Sequence, residues 1–333
     1  FHANMLANEM FIDTSVTRAS AVSHAKALGY TPSSMKASYS TITVTVSDVP
    51  LSQTSLTMPA GTAFNTVVDD VNYQFVTTSD VTATSDTGIF AFSDITVYEG
   101  TRVQFQYTVN SNNLEQQFTI PSAAVDTSTL VVRVQNSSSD VTTTTYTLNT
   151  DYATLTSTST KYFLQEIENS QFEVYFGDGT VSKALSDGNV VVLQYVVTNK
   201  TAANGASSFT APSTIDGVSD ISIIVNTIAT GGAEAESISS IKLNAPLDYA
   251  TQGRAVTAND YKTIVGNLFA EAKAVSVFGG EDGSFDTTTG LTSSTPEYGK
   301  VFISVRTNSG QNLTTNQKTQ LEKDLSTYKV ASI

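Results

Sequence analysis

Residues 237–261 read SISSIKLNAPLDYATQGRAVTANDY. The stretch holds no catalytic grouping. It is a helix over about 236–244, a break at Asn244-Ala245-Pro246, a polar turn ending in Gly253-Arg254, and a second helix capped by Thr257. Asp260 stands three residues after Thr257, a capping-box arrangement with Asp in place of Glu. Glu234 and Glu236 lie where carboxylates favour the positive end of the first helix. The second helix carries Tyr261, Ile264, Val265, Leu268 and Phe269. Strands over 272–278 and 300–306 follow, separated by a loop over 279–298, and a last helix starts near Thr314 or Thr315 with Leu321 and Leu325 on it. Helices and strands in that order predict a two-layer α+β domain over 231–333.

Upstream the period changes. Residues 1–28 of an N-terminal segment 1–36 read as helical, with Asp13 or Thr14 capping a second helix that ends before Gly29 and Pro32. Val16, Ala19, Val22, Ala25 and Leu28 recur every three residues, a narrow stripe of small apolar side chains that needs a partner surface. From Ala37 onward STITVTV at 40–46 alternates as a half-buried strand does. Short strands over 56–62, 73–77, 95–98 and 103–109 make a first β domain, 37–116. Strands over 117–121, 130–135, 143–148, 172–176, 190–197 and 221–228 make a second, 117–230, with a polar linker over 200–214. The run VVVLQYVV at 190–197 has no polar face and reads as buried on both sides. The fold class is therefore α+β and multidomain: N-terminal helices, two mainly antiparallel β domains of sandwich or barrel kind, and the C-terminal two-layer domain. The chain starts at Phe1 and ends at Ile333 close to a helical pattern, so both ends read as cut and the last domain as truncated.

Composition narrows the function classes. Charged residues are 14% of the 333, where about 25% is usual. The 17 basic and 31 acidic residues leave a net charge of −14, unsuited to nucleic acid or to an anionic membrane surface. There is no cysteine, hence no disulfide or thiolate metal site. No apolar run approaches the roughly 18 residues that span a bilayer, and no signal peptide is visible.

Candidate chemistry is sparse. Gly177-Asp178-Gly179 lacks the further ligands of a calcium loop and the Lys of a phosphate loop, and reads as a hairpin turn. Glu281, Asp282 and Asp286 could hold a hard cation, although loops between strands are often acidic for solvation alone. His2 and His24 are the only histidines, both in the helical start, and no G-x-S-x-G elbow accompanies them. Glu166 and Glu168 form a carboxylate pair, but tryptophan is absent and sugar subsites favour aromatic platforms. No catalytic, cofactor or metal site is assigned.

Four blocks in order resemble the baseplate J-like family of contractile-tailed phages, and within it the longer wedge proteins of large myophages. They are Phe11-Ile12-Asp13-Thr14 with Thr17-Arg18 and the segment 24–32; Phe176-Gly177-Asp178-Gly179 with 185–191 and Ala202-Ala203-Asn204-Gly205; residues 231–238; and Asn244-Ala245-Pro246 with 252–258 and Asp260-Tyr261. The resemblance implies a structural protein and not an enzyme. It implies two copies per wedge, wedges closing into a ring around the tail tube, and other wedge proteins and a sheath-proximal baseplate protein as neighbours. It also implies a ring that widens to trigger sheath contraction, and a C-terminal continuation beyond this chain.

Under that reading the expected subunit-interface residues are Val16, Ala19, Val22, Tyr249, Gln252, Arg254 and Tyr261. Arg254 either pairs with Asp248 or Asp260 within its own domain or crosses a subunit contact. The competing class is an adhesin or receptor-binding β-module protein, which Thr-rich strands and acidic charge suit equally. The helical start and the α+β end speak against it.

Overall fold

A computed structural model describes residues 2–113, 116–149, 155–269, 272–282, 284–285, 292–293, 295–307, 310, 312–313 and 315–330. The chain is α+β and multidomain, mostly β-sheet with few helices. It forms two compact units, one from Phe1–Tyr30 with Ser237–Ile333 and one from Thr31–Glu236.

The first unit opens with α1 (His2–Glu9) and α2 (Arg18–Ala27). Thr17, and not Asp13 or Thr14, caps α2, its side chain accepting from Ser20 N. The reason lies in Glu9, whose carboxylate accepts from the amides of Val16 and Thr17 and so holds 10–16 as a turn. Thr14 Oγ1 meanwhile donates to Asn8 O at 2.6 Å.

The Thr31–Glu236 unit contains two β-modules. In the first, β1 (Tyr39–Val46) alternates in burial residue by residue, as STITVTV predicts. β2 (Ser55–Met58) pairs with β5 (Val81–Thr84). β3 (Ala63–Val68) and β4 (Val71–Val76) form a hairpin closed by Asp69 and Asp70, both at positive φ as a two-residue turn of the primed type demands. With β6 (Phe90–Glu99) and β14 (Ile221–Val225) they give a five-stranded sheet, order β14-β1-β6-β4-β3, curved into a half-barrel. Ile42, Val44, Phe64, Phe75, Phe90 and Leu56 fill it.

The second module is a seven-stranded, nearly closed barrel. Its strands are β7 (Thr101–Thr108), β8 (Phe118–Ile120), β9 (Val125–Gln135), β10 (Thr143–Leu148), β11 (Lys161–Glu166), β12 (Phe172–Phe176) and β13 (Val190–Val197), in the order β7-β13-β9-β10-β11-β12-β8. The end strands meet where Tyr107 Oη donates to Thr119 O at 2.6 Å and the Tyr107 and Phe118 rings stand edge to face at 5.7 Å. Every pairing in the sheet is antiparallel except β10 with β11. Strand β13 is buried along nearly its whole length, as VVVLQYVV predicts. Its one polar side chain, Gln194, donates to Gln104 Oε1 and accepts from Arg133 Nη1.

The Gly177-Asp178-Gly179 turn exists but makes no hairpin, because β12 pairs with β11 and β8 and not with β13. Asp178 Oδ1 accepts the amides of Thr180 and Val181, and Ser182 then ties the loop to Thr156 and Ser159. A Cβ on Gly177 would stand 2.1 Å from Val181 O, which explains a glycine there.

The remainder of the first unit is α3 (Ile238–Thr251), α4 (Ala258–Leu268), β15 (Ala272–Gly279), the small pair β16 (Ser284–Phe285) and β17 (Thr292–Ser293), β18 (Val301–Thr307) and α5 (Thr315–Leu325). The predicted break at Asn244-Ala245-Pro246 does not occur: α3 runs through Pro246. Packing of Ile241 and Ala245 against Ala21, Val22 and Ala25 of α2 outweighs the single helical hydrogen bond that proline removes. The helix stops at Gln252 and Gly253 instead, both left-handed, at φ 48° and 69°. Thr257 and Asp260 form the reciprocal capping box of α4, worth about 1 kcal/mol. Strands β15 and β18 pair antiparallel, and Val277 packs with Val265, Ile264, Leu321 and Leu325 of the helices in one two-layer core.

Candidate assembly surface

Helix α3 is apolar on two sides. Ile241 and Ala245 are buried against α2. Leu243 and Leu247 lie about 200° round the helix from them and are 63% and 41% exposed. The same unit exposes Leu6, Met10 and Phe11 after or on α1, and Tyr249 and Val256 around the end of α3. Leu243 and Leu247, one turn apart on the same side of α3, form an exposed apolar pair of the kind that contact surfaces use.

The predicted interface residues fall in this unit at two depths. Val16 is 69% exposed, and Ala19, Tyr249, Gln252 and Arg254 are exposed too. Val22 and Tyr261 are buried, Val22 between α2 and α3 and Tyr261 in the two-layer core. Leu243 and Leu247 escaped the sequence reading because the expected break at Asn244 put them near a helix end; their spacing of four was the available signal.

Arg254 makes no direct ion pair with Asp248, and it acts on Asp260 only through its charge. Its guanidinium donates to Gln252 Oε1 at 3.0 Å. Partial burial works upward on Asp260, but the amides of Thr257 and Val256, with a contribution from the Arg254 charge, hold its carboxyl below the usual value.

Tyr261 Oη is buried with no hydrogen-bond partner among the described residues. An unpaired buried hydroxyl costs about 1–3 kcal/mol, so Tyr261→Phe should leave stability unchanged or raise it by about 1 kcal/mol, read from urea unfolding. A loss above that size would mean the hydroxyl has a partner in solution.

Asp248 sits in the last turn of α3, where the helix dipole is negative. Burial pushes its carboxyl up, and Asn267 Nδ2, donating at 2.7 Å, only partly offsets this. Because the native group binds its proton more tightly than the unfolded chain does, its ionisation opposes folding above the native pKa. That penalty fades as pH falls through the native pKa toward the ordinary aspartate range. Asp248→Asn keeps an acceptor for Asn267 and should stabilise the unit at pH 7, with the gain vanishing near pH 3. Thermal melts of both proteins across that range check it; a gain that persists at pH 3 would assign the effect to packing.

The other candidates bring no chemistry together. His24 Nε2 lies 2.9 Å from Glu9 O, a structural tie. The His2 side chain, the Asp282 side chain and Asp286 lie outside the described residues. Glu166 is buried in β11 while Glu168 is exposed in the next turn. Among the described residues no group of His, Asp and Glu is arranged to hold a metal ion, and no helix is long and apolar enough to cross a membrane.

Residues 37–100 match the family described as baseplate wedge protein gp6, domain II. Residues 257–333 match the family described as baseplate structural protein gp6, C-terminal domain I. Neither description names the baseplate J-like family. Baseplate wedge protein gp6 of Enterobacteria phage T4 is 28% identical over 359 aligned positions, covering 99% of this chain and 50% of the relative. The chain thus spans about half the length of that curated relative. A chain from the baseplate of the anti-feeding prophage aligns over 93% of this chain and 58% of its own at 12% identity, with a TM-score of 0.29, too low to establish a shared fold.

Proposed function

We propose that this chain is a structural subunit of a phage tail baseplate wedge. The observation that carries the reading is the 28% identity to a baseplate wedge protein, sustained over 99% of the chain. The exposed apolar side chains Leu6, Phe11, Leu243 and Leu247 suit a protein that reaches its final burial in an assembly. In this reading a second copy, other wedge proteins and a sheath-proximal baseplate protein are the neighbours, and copies close into a ring around the tail tube. Val16, Ala19, Tyr249, Gln252 and Arg254 lie in the contacts, with Val22 and Tyr261 supporting them from beneath. The ring couples host attachment to sheath contraction, and the protein works in the virion without catalysis or a cofactor. The baseplate J-like blocks belong to the same proposal.

Cryo-electron microscopy of the particle that carries the chain tests it. Density in a six-fold ring around a tail tube is the expected result. Density confined to fibre tips would overturn the reading in favour of an adhesin.

A further inference from the structure

We infer that the two β-modules of the Thr31–Glu236 unit do not hinge on one another: a buried carboxylate clasp at their junction makes them one rigid lever. The inference stands whether or not the chain serves in a baseplate.

The chain passes between the modules at Glu99-Gly100-Thr101, where β6 ends and β7 begins with a single residue between them. It returns after Val197, through Thr198 and Asn199, to Ala203 and Ala206 in the core of the first module. The two passages lie back to back. Gly100 has φ +124°, and a Cβ there would stand 2.1 Å from Val197 O. A one-residue connector wedged against the other passage has no slack to bend.

Each module supplies one buried carboxylate to the other's chain. Glu99, at 0% exposure, accepts from Thr198 Oγ1 at 2.7 Å, Asn199 N at 2.9 Å and Asn199 Nδ2 at 2.8 Å. Asp126, at the start of β9 in the barrel, accepts from Ala37 N at 2.9 Å, in the lead into β1, with Lys36 Nζ 3.5 Å away. The amide and hydroxyl of Ser128 occupy Asp126 from its own side. Ser38 Oγ lies 2.9 Å from Lys200 O and 2.8 Å from Asn204 Oδ1, and Asn204 pairs in both directions with Gly232. Rotation of one module on the other would strip charged oxygens of donors where water is excluded, the condition under which an unmet hydrogen bond costs most. Flexible joints show the reverse: exposed backbone and few buried contacts.

The absence of cysteine allows a clean test on the whole chain. Spin labels at Asp86→Cys in the first module and Ser138→Cys in the barrel, both exposed positions, should give one narrow distance distribution. Amides of Ala37 and Asn199 should exchange no faster than those of β13. Glu99→Gln, which turns one acceptor into a donor facing donors, should broaden the distribution and speed both amides at least tenfold. Thr198→Val, a milder change, should do the same in smaller measure should Glu99→Gln fail to fold. A broad or two-peaked distribution in the otherwise unaltered protein overturns the inference, as does an unchanged narrow one in a folded Glu99→Gln variant.

Discussion

Phe172→Ala is expected to lower the stability of the Thr31–Glu236 unit by about 3–5 kcal/mol. Phe172 is 1% exposed on β12, with Ile120 of β8 and Glu166 of β11 opposite it in register. It therefore sits on the middle of three paired strands in the barrel wall, β11-β12-β8, and its removal leaves a cavity that a ladder hydrogen-bonded on both sides cannot collapse into. Domains carry about 5–15 kcal/mol in total, so the variant should lose roughly a fifth of its margin or more. The midpoint of urea unfolding, at an unchanged slope, reads the loss. A change under about 1 kcal/mol would mean that the barrel wall is not packed at this point.

The other large effect is on assembly. Leu243→Glu with Leu247→Glu should leave the isolated chain folded, since both positions are exposed on α3 and glutamate is a good helix former. Incorporation into a wedge with the other baseplate proteins should fall by at least about a hundredfold, because buried anchor residues contribute 2 kcal/mol or more each and charges in their place must be desolvated. Sedimentation of the mixture measures it. Unaltered assembly of a folded double variant would remove this face from the contact surface.

How much of this was legible beforehand differs by element. Strand β13, the alternating β1, strands β10 and β12 and the capping box of α4 follow from local pattern alone. The sequence pattern does not reveal strands β3, β5 and β11. The β3–β4 turn is Asp69-Asp70, which lacks the glycine that usually advertises a two-residue hairpin. Strand β5 is four residues with one buried side chain, Ala83, too short for a period to show. Pro246 was read as a break because proline lacks a donor, yet α2 covers that helix and holds it together. Of the proposed assembly surface, Val16 and Ala19 follow from the stripe, but Val22 and Ala25 of the same stripe are buried against α3, and the false break hides Leu243 and Leu247.

The sequence by itself determined the periods, the capping box of α4, the acidic and cysteine-free composition and the order of helical and β segments. Those properties are set by residues within a few positions of one another. Only the tertiary structure decided that β10 and β11 run parallel and that the barrel nearly closes at Tyr107 and Thr119. It alone decided that Glu99 and Asp126 are buried clasps and that α3 buries one apolar side and shows the other. Strand pairing and burial depend on partners brought together from distant parts of the chain, and no local pattern records which partner arrives.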